Sequence, residues 1–204
     1  GLCGPYNGSV LRTGLAAYRS ESRKPMVEVV GKKGASFLRF QGVSASKHHT
    51  HFGDNPRRED IDRLAEEFMD RFIAGEISGV RVVFMRFHSA GRQSPEVLQL
   101  LPLKPPAEAG AKKDEKGTAQ VYEFSPPADE LLGELLPVTV KATLNQCFSD
   151  AIVSEHVARM IAMKAATDNA GKMRKNLSRQ YNRARQAQIT TELTEIISGA
   201  AALE

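Results

Sequence analysis

Apolar side chains in the last third of the chain recur in steps of three and four residues. They are Ala166, Ala170, Met173, Leu177, Tyr181 and Ala184, then Ile189, Leu193, Ile196, Ala200 and Leu203. That spacing lays them along one stripe of a helix. From Val138 to the end there is no proline, and Gly171 and Gly199 are the only glycines. An unbroken helix from about Leu135 to Leu203 would be a rod of roughly 100 Å at ~1.5 Å per residue. The stripe is narrow, like a coiled-coil seam: Ala166, Met173 and Gln180 are seven apart, as are Ala170, Leu177 and Ala184. The phase slips at Ile189, five residues past Ala184. An irregular seam suits one specific partner helix better than a symmetric pair. The competing reading is an ordinary core helix folded back on its own domain.

Upstream the pattern changes to short alternating segments. Val10 to Tyr18 reads as a helix after the turn GLCGPYNG. Met26 to Val30 reads as a buried strand, Gly31-Lys32-Lys33-Gly34 as a turn, Ala35 to Phe40 as a helical turn, and Val43 as the start of another strand. Asn55-Pro56 opens an amphipathic helix from about Arg57 to Ala74. Its apolar face is Ile61, Leu64, Ala65, Phe68, Phe72 and Ile73, and Gly75 stops it. Val80 to Phe87 and Val97 to Leu103 read as strands, the second at an edge. Lys104 to Gly117 reads as a loop, Gln120 to Phe124 as a strand, and Ser125-Pro126-Pro127 as a turn into a short helix at Asp129 to Leu136. Pro137 is expected near the start of the long helix, where its missing N–H costs little. The alternation predicts a small α/β sheet domain, Rossmann-like in winding, over residues 1–125, with the long helix in residues 126–204.

Charge sharpens the picture of the helix. Between His156 and Gln188 stand Arg159, Lys164, Lys172, Arg174, Lys175, Arg179, Arg183 and Arg185 against one acid, Asp168. Solvated faces usually mix signs to gain i,i+4 pairs, so this face is expected to seek an acidic surface. After Thr190 the sign reverses, with Glu192, Glu195 and Glu204. The whole 204-residue chain carries a net charge of only +4. No apolar run approaches the ~20 residues of a membrane-spanning helix.

Candidate chemistry is thin. The turn before the first helix fits neither the dinucleotide fingerprint nor the phosphate-loop pattern, and Gly31-Lys32-Lys33-Gly34 lacks the serine or threonine a phosphate loop needs after its lysine. His48-His49-Thr50-His51, with Asp54, is the best metal candidate, but an exposed flexible loop explains it more simply. Cys3 and Cys147 are far apart and form no metal spacing. Cys3 at a helix entrance would be a thiolate candidate only with a base beside it, and none is identified; a small buried residue is the simpler reading. No catalytic set, cofactor site or metal site is therefore expected.

Two long runs carry a family resemblance. Ser154 to Ala170 (SEHVARMIAMKAATDNA) and Tyr181 to Leu203 (YNRARQAQITTELTEIISGAAAL) resemble the core and the C-terminal signature of the F-type ATP synthase gamma subunit, the central-stalk rotor. The likeness extends through Gly1 to Asn7, Gly31 to Gly34 and Gln99 to Leu103. It implies a Rossmann-like domain without a nucleotide site, beside a long C-terminal helix that forms half of an antiparallel coiled coil. The other half in that family is an N-terminal helix, which this chain lacks along with the first strand, so it is expected to be a piece of a longer protein. A cysteine-bearing regulatory insert of the chloroplast kind is also absent. The implied job is mechanical: a non-catalytic rotor coupling c-ring rotation to ATP synthesis in an alpha/beta hexamer. The partners would be the alpha, beta and epsilon subunits and the c-ring, and the location peripheral, on the cytoplasmic face of a bacterial inner membrane. By motif, Arg185, Gln186 and Thr190 would meet a beta catch loop with Glu192 supporting them, Arg183 would add positive charge there, and Arg159 would lie near the beta lever. A basic coiled-coil protein that binds nucleic acid is the alternative, and a sheet-domain enzyme using Cys3 a third.

Overall fold

In the computed structural model, residues 2–103 and 127–202 are described. The expected loop at Lys104 to Gly117, the strand at Gln120 to Phe124 and the turn at Ser125 and Pro126 lie outside them. The elements are α1 (Tyr6–Ser20), β1 (Glu28–Val30), α2 (Lys32–Phe40), β2 (Lys47–His49), α3 (Arg58–Ile73), β3 (Val80–Ser89), β4 (Arg92–Leu101) and α4 (Ala128–Ala201). Residues 3–158 make one compact unit and those from Arg159 onward a second.

In the first unit, β1 and β2 pair in parallel, with Val29 opposite His48, and α2 is their crossover. Parallel neighbours require such a connection, so the Rossmann-like winding is present as a β1–α2–β2 unit. α2 lies so close to β1 that a Cβ on Gly34 would come within 2.7 Å of Val29 Cγ1. β3 and β4 form a separate antiparallel hairpin, with Val83 opposite Val97.

Two apolar clusters hold this unit. Leu15, Val29, Leu38 and Val43 join α1, β1 and α2. Phe52, Ile61, Leu64, Ala65, Leu100, Leu101, Val140 and Leu144 join α3, β4 and the first part of α4. The hairpin sits between them: Val80 and Val82 pack on the second cluster, while Val83 faces α1 at Gly14. Alternate strand residues point to opposite faces, which is how one hairpin serves both layers.

Several boundaries differ from the sequence reading. The helix expected from Val10 starts four residues earlier, at Tyr6. Lys32, Lys33 and Gly34 are the first turn of α2 rather than a turn of their own, with Gly31 before them at φ 95°. The strand placed at Val43 forms later, at Lys47–His49, because Val43 is taken up in the α2 C-terminal motif: its N–H bonds the Leu38 carbonyl while Gly42 N–H bonds that of Arg39. The same arrangement ends α3, where Gly75 at φ 75° bonds Phe72 and Glu76 bonds Arg71. This is the Schellman motif, which favours glycine at the left-handed position. Ile73, expected in the core, is 82% exposed beside that stop. β4 begins at Arg92, five residues before the expected Val97. The short helix at Asp129 to Leu136 is continuous with α4, and Pro137 lies inside it, not near its start.

The first part of the long helix belongs to the core. Val140, Leu144, Cys147 and Ser154 are buried. Leu177, Leu193 and Ile196 are 58, 54 and 68% exposed.

Truncating Leu144 to alanine removes a fully buried side chain and is expected to cost about 2–5 kcal/mol. Leu177→Ala, on the exposed stripe, is expected to change the stability of the isolated chain by about 0.5 kcal/mol or less. Urea unfolding of the two variants beside the parent chain measures both.

Candidate functional site

The residues singled out by sequence lie on α4. Arg183, Arg185, Gln186, Thr190 and Glu192 are all exposed, and Arg159 is half-buried and engaged by neighbours. Arg185 and Glu192 are seven residues apart and share one line on the helix, whereas Arg183, Gln186 and Thr190 follow another. Thr190 Oγ1 donates to the Gln186 carbonyl at 2.8 Å, and Gln188 Nε2 donates to Glu192 Oε1 at 3.0 Å. The second bond points the Glu192 carboxylate along the helix surface. Residues 183–192 thus offer two cations, four uncharged polar side chains and the acid Glu192, with Ile189 and Leu193 exposed between the two lines. This chemistry suits docking against another protein: cations for a carboxylate loop, beside apolar area that a partner must cover.

The histidine segment is not the expected flexible loop. His48 and His49 belong to β2, and His49 is buried. Neighbouring residues on a strand face opposite ways, so His48 and His49 do not converge on one ion. His48 Nε2 instead lies 3.1 Å from the Gly31 carbonyl oxygen, and His49 Nε2 lies 2.9 Å from Glu28 Oε2. Arg71 Nη1 donates to the other Glu28 oxygen at 2.9 Å. Burial resists ionisation of Glu28, but the bonds from His49 and Arg71 outweigh it and hold the carboxyl below its ordinary value of 4.5. This cluster, tying α3 to both strands of the parallel pair, was missed by sequence reasoning. Glu28 and Arg71 are too far apart in the chain to signal a pair. Among the described residues no three histidine, cysteine or acidic side chains gather where they could hold a metal ion.

Neither thiol is placed to react. Cys3 is buried and accepts a hydrogen bond from Asn7 Nδ2 at 3.1 Å. Burial, with a contribution from the Asp150 charge, pushes the Cys147 thiol up to about 11. A groove of about 970 Å³ runs between α1, β1 and the hairpin, walled by Leu15, Tyr18, Val29, Val83 and Leu101. In Gly31-Lys32-Lys33-Gly34 the two lysines lie in the first turn of α2. Among the described residues no helix is long and apolar enough to cross a membrane.

A family profile described as ATP synthase matches residues 1–203. The ATP synthase gamma chain of Rhodopirellula baltica is 43% identical over 215 residues, covering all of this chain and 71% of that protein. The gamma chain of Leptospira biflexa is 37% identical over 206 residues, again with the whole chain covered and 70% of the relative. Among solved structures, a chain of the Euglena gracilis mitochondrial ATP synthase OSCP/F1/c-ring assembly matches the whole chain over 69% of its own length, with a TM-score of 0.66 and 21% identity. A chain of the Tetrahymena thermophila ATP synthase central stalk and c-ring matches 82% of this chain and 71% of its own, with a TM-score of 0.58 and 17% identity. These structures are similar in fold.

A folded-state pKa held down at Glu28 contributes stability that is present above the unfolded value and is lost as pH falls through the folded one. Glu28→Gln is therefore expected to lower stability at neutral pH, with the gap to the parent narrowing as pH drops below 4.5. Urea unfolding midpoints against pH read this directly. Both thiols are expected to resist iodoacetamide at pH 8 in the folded chain and to react once it is unfolded. Rapid labelling of the native protein, counted by mass spectrometry, would overturn that.

Proposed function

The chain belongs to the ATP synthase gamma-chain family, and on that premise we propose that it is a non-catalytic rotor. In this role it couples rotation of a membrane-embedded c-ring to conformational change and ATP synthesis in an alpha/beta hexamer. The observation that carries the reading is the distal part of α4. It is helical to Ala201, apolar along a stripe, strongly basic, and exposed along its length. An exposed stripe of this kind marks a surface shaped for a partner.

The partners proposed are the alpha and beta subunits around the distal helix, an epsilon subunit and the c-ring at the body, and the N-terminal gamma helix along the seam. The functional division is the body, residues 1–125, and the helix, residues 126–204, although the first part of α4 is also core. The place of action is peripheral, on the cytoplasmic face of a bacterial inner membrane. Arg185, Gln186 and Thr190 meet the beta catch loop, with Arg183 adding charge and Glu192 orienting the network through Gln188. Arg159 serves the beta lever. A rotor needs unlike faces, because each hexamer state is favoured only by contacts that differ between states. The two lines of side chains at 183–192 supply them.

One observation favours a second reading. Eight basic side chains against one acid between His156 and Gln188 would also suit a nucleic-acid backbone. Glu192 and Glu195 follow on the same helix and would face the phosphates with the wrong sign.

Arg185→Glu is expected to weaken retention of the full-length chain by the alpha/beta hexamer about tenfold, the loss of one charge-assisted contact. Pull-down against the purified hexamer measures it. Unchanged retention would remove this contact. Tight duplex DNA binding that weakens steeply with salt, without hexamer retention, would favour the second reading.

A further inference from the structure

The first part of α4 is attached to the body in two chemically different ways. Its inward face is apolar: Val140, Leu144 and Cys147 are buried, the first two within the cluster that includes Ile61, Leu64 and Leu100. Packing of this kind holds a helix down but is non-directional. It resists peeling better than a small roll about the helix axis, since a small rotation keeps most of the apolar contacts.

The flanks of the same segment are polar. Taking Val140 as the inward direction, Lys141 and Asn145 lie roughly 100–140° round to one side at 3.6 residues per turn. Lys141 Nζ donates to Glu66 Oε1 of α3 at 2.6 Å, and Asn145 Nδ2 donates to Asp62 Oδ1 of α3 at 2.7 Å. Asp150 lies roughly 80° to the other side, braced by Gln146 Nε2 at 2.8 Å and 3.8 Å from Arg86 Nε of β3. Between these flanks the Tyr6 hydroxyl of α1 donates to the Ala151 carbonyl at 2.9 Å, and the buried Ser154 hydroxyl reaches the Met85 carbonyl of β3 at 3.4 Å. The helix is therefore held from α1 and α3 by short hydrogen bonds, and from β3 by the longer Ser154 contact and the Asp150–Arg86 ion pair, with polar contacts on both sides of its inward face.

We propose that these contacts are an anti-roll latch: Asn145–Asp62 and Lys141–Glu66 on one side, Asp150–Arg86 on the other, and Tyr6–Ala151 and Ser154–Met85 between them fix the azimuth of α4 and carry torque between the body and the helix. The inference rests on the rotor reading. A rotor driven at its body delivers work through α4 only if the helix cannot turn within its seat. Burial alone supplies the grip against pulling, and the latch supplies the grip against turning. These are positioning residues.

The prediction concerns coupling rather than folding. Removing one such bond raises the latch-open population about fivefold. The Tyr6→Phe and Asn145→Ala double variant, in the full-length chain of the complete membrane-bound complex, is expected to hydrolyse ATP at close to the parent rate. Its protons pumped per ATP should fall several-fold, read by quenching of a pH-sensitive dye in inverted vesicles. Exchanging the pair, Asp62→Asn with Asn145→Asp, keeps a hydrogen bond across the same gap and should restore pumping relative to Asn145→Ala. A double variant that assembles and pumps as many protons per ATP as the parent overturns the latch. So does an exchanged pair no better than Asn145→Ala. If the double variant fails to assemble, Tyr6→Phe decides alone, and a parental ratio there overturns the latch. If the parent chain supports no pumping, the rotor reading fails and the latch falls with it.

Discussion

An apolar stripe on a helix has to be covered, and α4 covers only part of its own. Around Val140 and Leu144 the stripe is sealed by α3 and β4. Beyond Lys164 almost every side chain is exposed, the large apolar ones included. Hydrophobic burial of the first part fixes where the helix starts and, broadly, which side of it faces the core. The uncovered remainder is then the chain's main unsatisfied demand, and the proposed function is a statement of what satisfies it.

The composition of the uncovered part narrows the answer. A stripe of alanines with Met173, Leu177, Ile189, Leu193 and Ile196 suits a close-packed helical neighbour. The cations on the other faces suit a carboxylate-bearing surface. A partner that offered only one of these would leave the other exposed or unpaired. The proposed rotor assembly would offer both, an N-terminal gamma helix for the seam and a surrounding ring for the charge. A nucleic acid would satisfy the cations and leave the seam uncovered. That asymmetry, more than the net charge of +4, separates the two readings.

Much of this was legible in the sequence, because α4 and α3 are long enough for their periodicity to stand out. Gly75 announced the end of α3, since only a left-handed position after a helix calls for glycine there. Short elements were harder. β1 and β2 are three residues each, too few for alternation to register. β4 begins with Arg92, Gln93, Ser94 and Pro95, a polar opening that reads as loop; Pro95 is tolerated because the hairpin has only two strands and a free edge. His49 looked like loop because three histidines in four residues suggest solvent, whereas Glu28 and Arg71 make burial of one of them affordable. Pro137 looked like a boundary. It removes one N–H that would have bonded the Gly133 carbonyl, and Gly133 is exposed, so water can bond that oxygen instead. The proposed catch-loop residues were found only through the family resemblance. On an exposed helix with cations all round, spacing alone does not single out Arg185 from Arg179.

The same reasoning separates two kinds of attachment along one helix. Apolar area gives most of the free energy of docking yet leaves the azimuth loosely set, whereas hydrogen bonds add little energy and a definite direction. A protein that only had to stay folded could rely on the first kind. The flanks of α4 at Lys141, Asn145 and Asp150 are instead built from polar side chains that reach acids on α3 and an arginine on β3. Leucine or alanine at those positions would serve stability as well, since partly exposed ion pairs contribute about 1 kcal/mol or less. Their directional character is what apolar substitutes could not reproduce, and direction matters when a helix must not turn in its seat.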